Sequence, residues 1–213
     1  MAEIVGSSRI SEFSPVGYEG ITEEDLRKIV VRGIGAANNA TLNHPRNAAG
    51  SFAYHERVKA ARDLFGPFGW TRYSKKGIEY VVCPNKQIAI VMSSADGNVG
   101  RPGGLVTTKY PKGHAYEDVI AANCDWLGLT NADGSAYFHD EEESFVTWFL
   151  LTCKVGDNVF WELSLPARIE LGGRIENWER RILFAPVEVN LQPNYDPADQ
   201  EPDIEVSVNK KTI

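Results

Sequence analysis

The chain has 213 residues, of which 43% are hydrophobic, and this length favours one domain with a substantial core over two. The formal net charge of −7 argues against nonspecific binding to nucleic acid or to an anionic membrane, since both depend on clustered Lys and Arg. The longest apolar runs are a few residues, far short of the roughly 20 that cross a bilayer. We therefore expect neither a membrane nor nucleic acid among the partners.

Three cysteines, Cys83, Cys124 and Cys153, are widely spaced and odd in number. This usage is typical of reduced thiols that pack as small hydrophobic side chains, and a disulfide framework would need an even number. The first residues, "MAEIVGSSRISEF", lack the basic flank and apolar segment of an export signal. The sequence therefore predicts a cytoplasmic protein.

Three segments carry the period of a helix. Residues 20–42 contain Thr22, a suitable N-cap, then three acids and apolar residues that share one face, although Gly33 and Gly35 weaken the far end. A second helix is predicted near residues 52–65, where "GPFG" ends it. A third is predicted over "AYEDVIAANCDWLGL", in which apolar residues recur at helical spacing.

Two pairs of apolar runs have the form of hairpins. Residues 78–83 and 87–92 flank "PNK", and residues 145–153 and 159–165 flank "VGDN". Both faces of the second hairpin are apolar, so it should be central in its sheet, with each face covered. Residues 174–185 fit a helix or a strand, and we favour a strand interrupted at Pro186.

These elements predict an α+β fold, with an antiparallel or mixed sheet built around two hairpins and about three helices packed on one side of it. We expect a single domain over residues 1–190. Residues 191–213 are rich in Pro and acids and should form an extended tail that could order on a partner. The second apolar face of the central hairpin could be covered by helices or by the second subunit of a homodimer.

The stretch "VMSSADGNVGRPGGLVTTKYPKGH" follows a predicted strand and is rich in glycine and cations. Backbone amides and positive side chains of such a loop could hold an anion. It matches neither GxGxxG nor GxxxxGK[ST], and its prolines prevent the helix that Rossmann and P-loop folds need. The alternative is a surface loop with solubilising charges. The predicted ligand-binding residues are Ser93, Ser94, Asp96, Asn98, Arg101, Thr107, Thr108, Lys109, Lys112 and His114.

Catalytic and metal-binding signatures are weak. The chain has no GxSxG, and its four histidines are isolated, without HxH or HExxH pairs. Glu79 and Lys86 lack the acid-x-Lys order of a carboxylate nuclease. The aromatic and basic stretch "FGPFGWTRYSKKG" could stack on single-stranded nucleic acid, but we favour a role in anchoring the sheet's first strand. We therefore predict no catalytic residue, metal site or cofactor.

Four motifs, "SSADGN", "TTKYPKG", "FWELSLP" and "RIENWERRILF", span roughly residues 87–186, nearly half of the chain. In these motifs the sequence resembles a group of uncharacterised accessory proteins carried by phages and plasmid-like elements. The resemblance implies a mobile-element setting, in which accessory proteins counter or modify host functions such as defence. It implies no activity, cofactor or site residue.

The sequence predicts a noncatalytic binding protein whose loop over residues 93–114 captures an anionic small molecule, with a nucleotide as one candidate, or whose tail engages a host protein. The alternative is a phosphoester hydrolase or nuclease that uses Asp96, Lys112 and His114 of the same loop together with a carboxylate from elsewhere in the chain. An enzyme is the less favoured of the two.

Overall fold

The computed structural model describes residues 3–5, 15–16, 20–85, 87–129, 145–169 and 173–189. These residues contain three α-helices and a mixed sheet, which confirms the predicted α+β class. The helices are α1 (Glu23–Asn38), α2 (Ala48–Phe65), which runs into a short 3-10 turn (Gly66–Phe68), and α3 (Ala115–Trp126). The strands are β1 (Glu3–Val5), β2 (Thr71–Lys75), β3 (Ile78–Val82), β4 (Ile88–Ser94), β5 (Val146–Val155), β6 (Asn158–Ile169), β7 (Ile175–Leu183) and β8 (Val187–Glu188). The predicted tail over residues 191–213 lies outside the described residues.

Helix α1 begins where the sequence predicts, at a capping box. The Thr22 hydroxyl accepts a hydrogen bond from the Asp25 amide, and the Asp25 carboxylate accepts one from the Thr22 amide, each at 3.2 Å. These two bonds satisfy amides that the first helical turn leaves without partners. The buried stripe of α1, which includes Leu26 and Ile29, then faces the core.

The strands lie in the order β1-β7-β6-β5-β4-β3-β2, and β8 pairs with β6. Both predicted hairpins are present, since β3 pairs antiparallel with β4 and β5 with β6. Strand β7 pairs antiparallel with β6, which confirms a strand over residues 174–185. Strands β4 and β5 are parallel, so the chain between them must return across one face of the sheet, and α3 lies in that connection.

The two faces of the sheet carry separate apolar cores. On β5, Trp148 and Leu150 point to the side of α1 and α2, whereas Phe149 and Leu151 point to the side of α3. The expectation that the helices pack on one side is therefore wrong, because the return between two parallel strands places α3 on the face opposite to α1 and α2. Both faces of the central hairpin are covered within one chain, so this hairpin does not itself require a homodimer.

Among the residues with described structure, no helix combines the length and the apolar character that crossing a bilayer would demand.

Candidate functional site

The glycine-rich loop between β4 and α3 is anchored by a buried ion pair. Glu162 on β6 and Arg181 on β7 are almost fully buried, and their side chains join by two bonds, Nε to Oε1 at 2.8 Å and Nη2 to Oε2 at 2.7 Å. The Gly100 amide donates to Glu162 Oε2 at 2.7 Å, and Arg181 Nη1 donates to the Gly104 carbonyl at 2.8 Å. The ion pair thus holds the loop against the sheet through both a donor and an acceptor of the loop backbone.

Several loop amides donate to acceptors within the protein. The Asp96 amide bonds to the Thr107 carbonyl at 3.0 Å, and the Thr108 amide bonds to the Ile175 carbonyl at 3.0 Å. Together with the Gly100 amide, these donors face inward. In this conformation these three amides cannot contribute to the anion cradle that the sequence predicts for the loop backbone.

Five of the ten predicted ligand-binding residues support the loop itself. The Asp96 carboxylate accepts from the Asn98 amide at 3.0 Å and from the Thr107 hydroxyl at 3.2 Å. The Thr108 hydroxyl is buried and accepts from the Ile175 amide at 3.1 Å. Ser93 is also buried, at the end of β4. These contacts, together with the hydrogen bond that the Ser93 hydroxyl donates to the Ser94 carbonyl at 3.3 Å, give the five residues a structural role.

Three cationic side chains of the loop do not share a site, because each contacts a different neighbour. Arg101 lies over the Phe160 ring at 5.0 Å, and Lys112 lies over the Tyr116 ring at 5.0 Å, where burial lowers the pKa of the ammonium group. His114 bonds to Glu117 at 3.0 Å, and this bond raises the pKa of the imidazole. Asp96, Lys112 and His114, which the hydrolase alternative needs in one site, therefore each contact a different neighbour.

Ser94 and Lys109, by contrast, line a pocket of about 230 Å³ that we call the cationic pocket. It lies at the carboxyl ends of the parallel strands β4 and β5 and against α1 and α2. Its polar lining consists of Asn38, Arg57, Ser94, Lys109, Thr152, Cys153 and Lys154. Its apolar lining includes Val30, Ile34, Ala37, Ala49, Ala53 and Val159.

Backbone hydrogen bonds position Lys109 at this pocket. After leaving the sheet, the loop returns so that Ala95 and Thr108 form a β-bridge and the Lys109 amide donates to the Ser94 carbonyl at 2.9 Å. The Ala95 amide in turn donates to the Thr152 carbonyl at 3.1 Å, which ties the end of β4 to β5. The long loop thus contributes to the pocket through its last strand-like residues.

Arg57 reaches the pocket from α2 and is 5% exposed. Its guanidinium donates to the buried Thr152 hydroxyl, its Nε has no hydrogen-bond partner, and no described carboxylate lies within ion-pairing distance. Burial lowers the pKa of Arg57 to about 10. A buried cation without a counter-charge is costly, and an anion in the pocket would supply that charge.

The rest of the lining adds positive charge. Lys109 and Lys154 are exposed, and neither has an ion-pair partner among the residues the structure describes. Among the described residues that line this pocket there is no carboxylate and no imidazole. In a chain of net charge −7, three cations around one concavity form a local positive site.

The family models, the curated proteins and the solved structures contain no match to this chain. In the described parts of the chain, moreover, no group of three or more His, Cys, Asp or Glu side chains could hold a metal ion. The cationic pocket and its geometry therefore carry the functional interpretation.

Arg57, Thr152 and Lys154 were not predicted from the sequence as pocket residues, although the position of Arg57 in its helix is unusual. In the predicted second helix it lies four residues from Ala53 and four from Ala61, on the face that should be apolar. An arginine at such a position must find a partner inside the protein or a ligand. Thr152 and Lys154 look like ordinary strand residues, and nothing local distinguishes them.

Proposed function

We propose that the protein is a noncatalytic binding protein that holds a small anionic ligand in the cationic pocket. The observation that carries this proposal is Arg57, a buried guanidinium with accessible space beside it and no carboxylate partner among the described residues. A guanidinium offers several donors in one plane, which suits the oxygens of a carboxylate or phosphate. Lys109 and Lys154 would draw the ligand in and hold its outer charge.

The size of the pocket limits the ligand. A volume of about 230 Å³ is the space of about eight water molecules, whereas sites for drug-sized ligands span about 300–1,000 Å³. A small organic anion would fit inside. A nucleotide would place its phosphate in the pocket and leave most of its nucleoside outside.

The side chains of the lining favour binding over turnover. Hydroxyl, ammonium and guanidinium groups donate hydrogen bonds to an anion, but general base catalysis needs a group that accepts a proton near neutral pH. The described lining has no imidazole or carboxylate for that role, and burial raises the pKa of the Cys153 thiol. In the mobile-element setting that the sequence motifs imply, such a protein would act by sequestering an anionic host molecule.

Thermal unfolding of the wild type and three variants tests this proposal against phosphate, sulfate, short carboxylates and nucleotides. A ligand at about 100 times its Kd stabilises by about 2.7 kcal/mol, which should raise the Tm by about 5–10 °C in a domain of this size. We expect this shift in the wild type and in Lys112→Met, a control on the same loop whose ammonium lies over Tyr116. The shift should vanish in Arg57→Met and shrink in Lys109→Met.

Labelling of Cys153 gives a second readout that does not depend on stability. Cys83 and Cys124 are buried, whereas Cys153 is half-buried and lines the pocket, so an alkylating reagent should modify Cys153 first. A bound anion should slow this reaction in the wild type and leave its rate unchanged in Arg57→Met. If no anion changes the Tm or the labelling rate of the wild type, the proposal is wrong.

A further inference from the structure

We infer that the ligand of the cationic pocket is a phosphate monoester with a short apolar ester group, bound with its phosphate towards Arg57. This inference rests on the proposed function and adds the charge and the chemical class of the ligand. Two features of the pocket support it. The pocket has more cationic side chains than a ligand with one negative charge would neutralise, and the wall formed by α1 and α2 is largely apolar.

The cations of the pocket exceed what a monoanion would neutralise. Arg57, Lys109 and Lys154 come from α2, the loop and β5, and each lacks an ion-pair partner in the described structure. A carboxylate brings one charge and two oxygens. A phosphate monoester brings a charge approaching −2 and three acceptor oxygens. The pocket lining offers donors for those oxygens from three elements, with the Ser94 hydroxyl as a further donor.

Apart from Asn38 at the end of α1 and Arg57 of α2, the side chains that α1 and α2 contribute to the wall are apolar. Val30 and Ile34 of α1, Ala49 and Ala53 of α2, and Val159 of β6 are apolar residues of this lining. A ligand made of phosphate alone would leave this wall in contact with water, and a ribose would place hydroxyl groups against it. A compact hydrocarbon group on the ester oxygen would instead bury apolar surface on the wall.

The charge of the ligand gives the binding a characteristic pH dependence. The ionisable groups that line the pocket are Arg57 of α2, Lys109 of the loop, and Cys153 and Lys154 of β5. Asp96 and Arg101 act on Cys153 from the loop, and Tyr54 acts on Arg57 from α2. Guanidinium, ammonium, phenol and thiol groups ordinarily change charge above about pH 8, and carboxylates below about pH 5. A phosphate monoester gains its second charge near about pH 6. Affinity should therefore rise through this range because the ligand titrates.

Isothermal titration calorimetry with matched probes tests the inference. Phenyl phosphate and phenyl sulfate have the same shape, but only the phosphate becomes a dianion. Near about pH 8 we expect the wild type to bind phenyl phosphate about tenfold or more tightly than phenyl sulfate, the gain typical of an added charge-assisted hydrogen bond. This preference should disappear near about pH 5, where both probes are monoanions. Lys154→Met should weaken phenyl phosphate more than phenyl sulfate.

Inorganic phosphate and adenosine monophosphate distinguish the possible sources of the phosphate group. Each should bind about tenfold or more weakly than phenyl phosphate, since burial of an apolar group of this size contributes at least about 1.5 kcal/mol. If phenyl sulfate and phenyl phosphate bind with equal affinity near about pH 8, the inference that the ligand is a dianion is wrong. If inorganic phosphate or adenosine monophosphate binds as tightly as phenyl phosphate or more tightly, the inference of an apolar ester group is wrong. Either result would leave the pocket as an anion site. Loss of binding for every probe would instead reject the proposed function itself.

Discussion

Replacing Arg57 with methionine should leave the protein without ligand at least as stable as the wild type, although the residue lies in the packed interior. Burial lowers the pKa of the guanidinium to about 10 from its usual value above about 12, which corresponds to about 3 kcal/mol against the charged form. The guanidinium is charged in both the folded and the unfolded chain at neutral pH. Because its pKa is depressed in the folded state, this cost is fully present below pH 10.

The substitution also removes a favourable contact. The hydrogen bond to the Thr152 hydroxyl is lost, and a buried hydroxyl without a partner costs about 1–3 kcal/mol. Methionine keeps the apolar volume of the side chain and adapts its shape, so little cavity should form. We therefore expect Arg57→Met to change the free energy of unfolding by between 0 and about 2 kcal/mol in the stabilising direction.

Urea denaturation at neutral pH measures this difference, with Arg181→Met as the contrasting variant. Arg181 is also buried, but it pairs with Glu162, so its removal leaves a buried carboxylate without its partner and should cost about 3–5 kcal/mol. Arg27→Met is the exposed control, since Arg27 is half-exposed at 3.7 Å from Glu24, and it should cost less than about 1 kcal/mol. If Arg57→Met loses as much stability as Arg181→Met, the guanidinium has a counter-charge in the folded protein and the proposal that it binds an external anion is wrong.

Three further predictions concern packing. Gly33→Ala should lower the free energy of unfolding by about 1–3 kcal/mol and weaken anion binding, because the new Cβ would lie 2.6 Å from Arg57 Cγ. Gly35→Ala is the control, because a Cβ at this position would have no atom within 4 Å, and urea denaturation should show it to be neutral or stabilising. Asn123→Ala should cost about 2–4 kcal/mol by the same measurement, because this fully buried amide makes three hydrogen bonds to the backbone of β5 and β6. Deletion of residues 194–213 should leave the Tm nearly unchanged in calorimetry, since Pro and clustered acids bury little apolar surface, and a large loss would show that this segment packs on the domain.

Elements whose signals are local could be predicted from the sequence. The start of α1 depends on Thr22 and Asp25, which are three residues apart, and the β5–β6 hairpin depends on a turn at Gly156 flanked by apolar runs. Capping and turn formation are decided by neighbours in the chain, so these patterns retain their meaning in any fold. The apolar character of both faces of β5 likewise predicted a central strand with two covered faces.

The glycine-rich loop shows where such reasoning stops. Gly100 has a φ of 69°, and its amide donates to Glu162, 62 residues away. Glycine permits a tight turn equally well when the amide faces a ligand and when it faces the protein's own carboxylate. The composition of the loop therefore indicated an unusual backbone, but it contained no information on the direction of the amides.

The amino-acid sequence by itself determined the helices, the hairpins and the α+β class, because each depends on residues close together in the chain. Only the tertiary structure decided that β4 and β5 run parallel and that their ends meet Arg57. The Arg57 side chain contacts Thr152 across 95 positions of sequence, and Lys109 joins them after a long loop. Contacts at that separation depend on the path of the whole chain, so the cationic pocket emerges only once the sheet and its two helical layers are assembled.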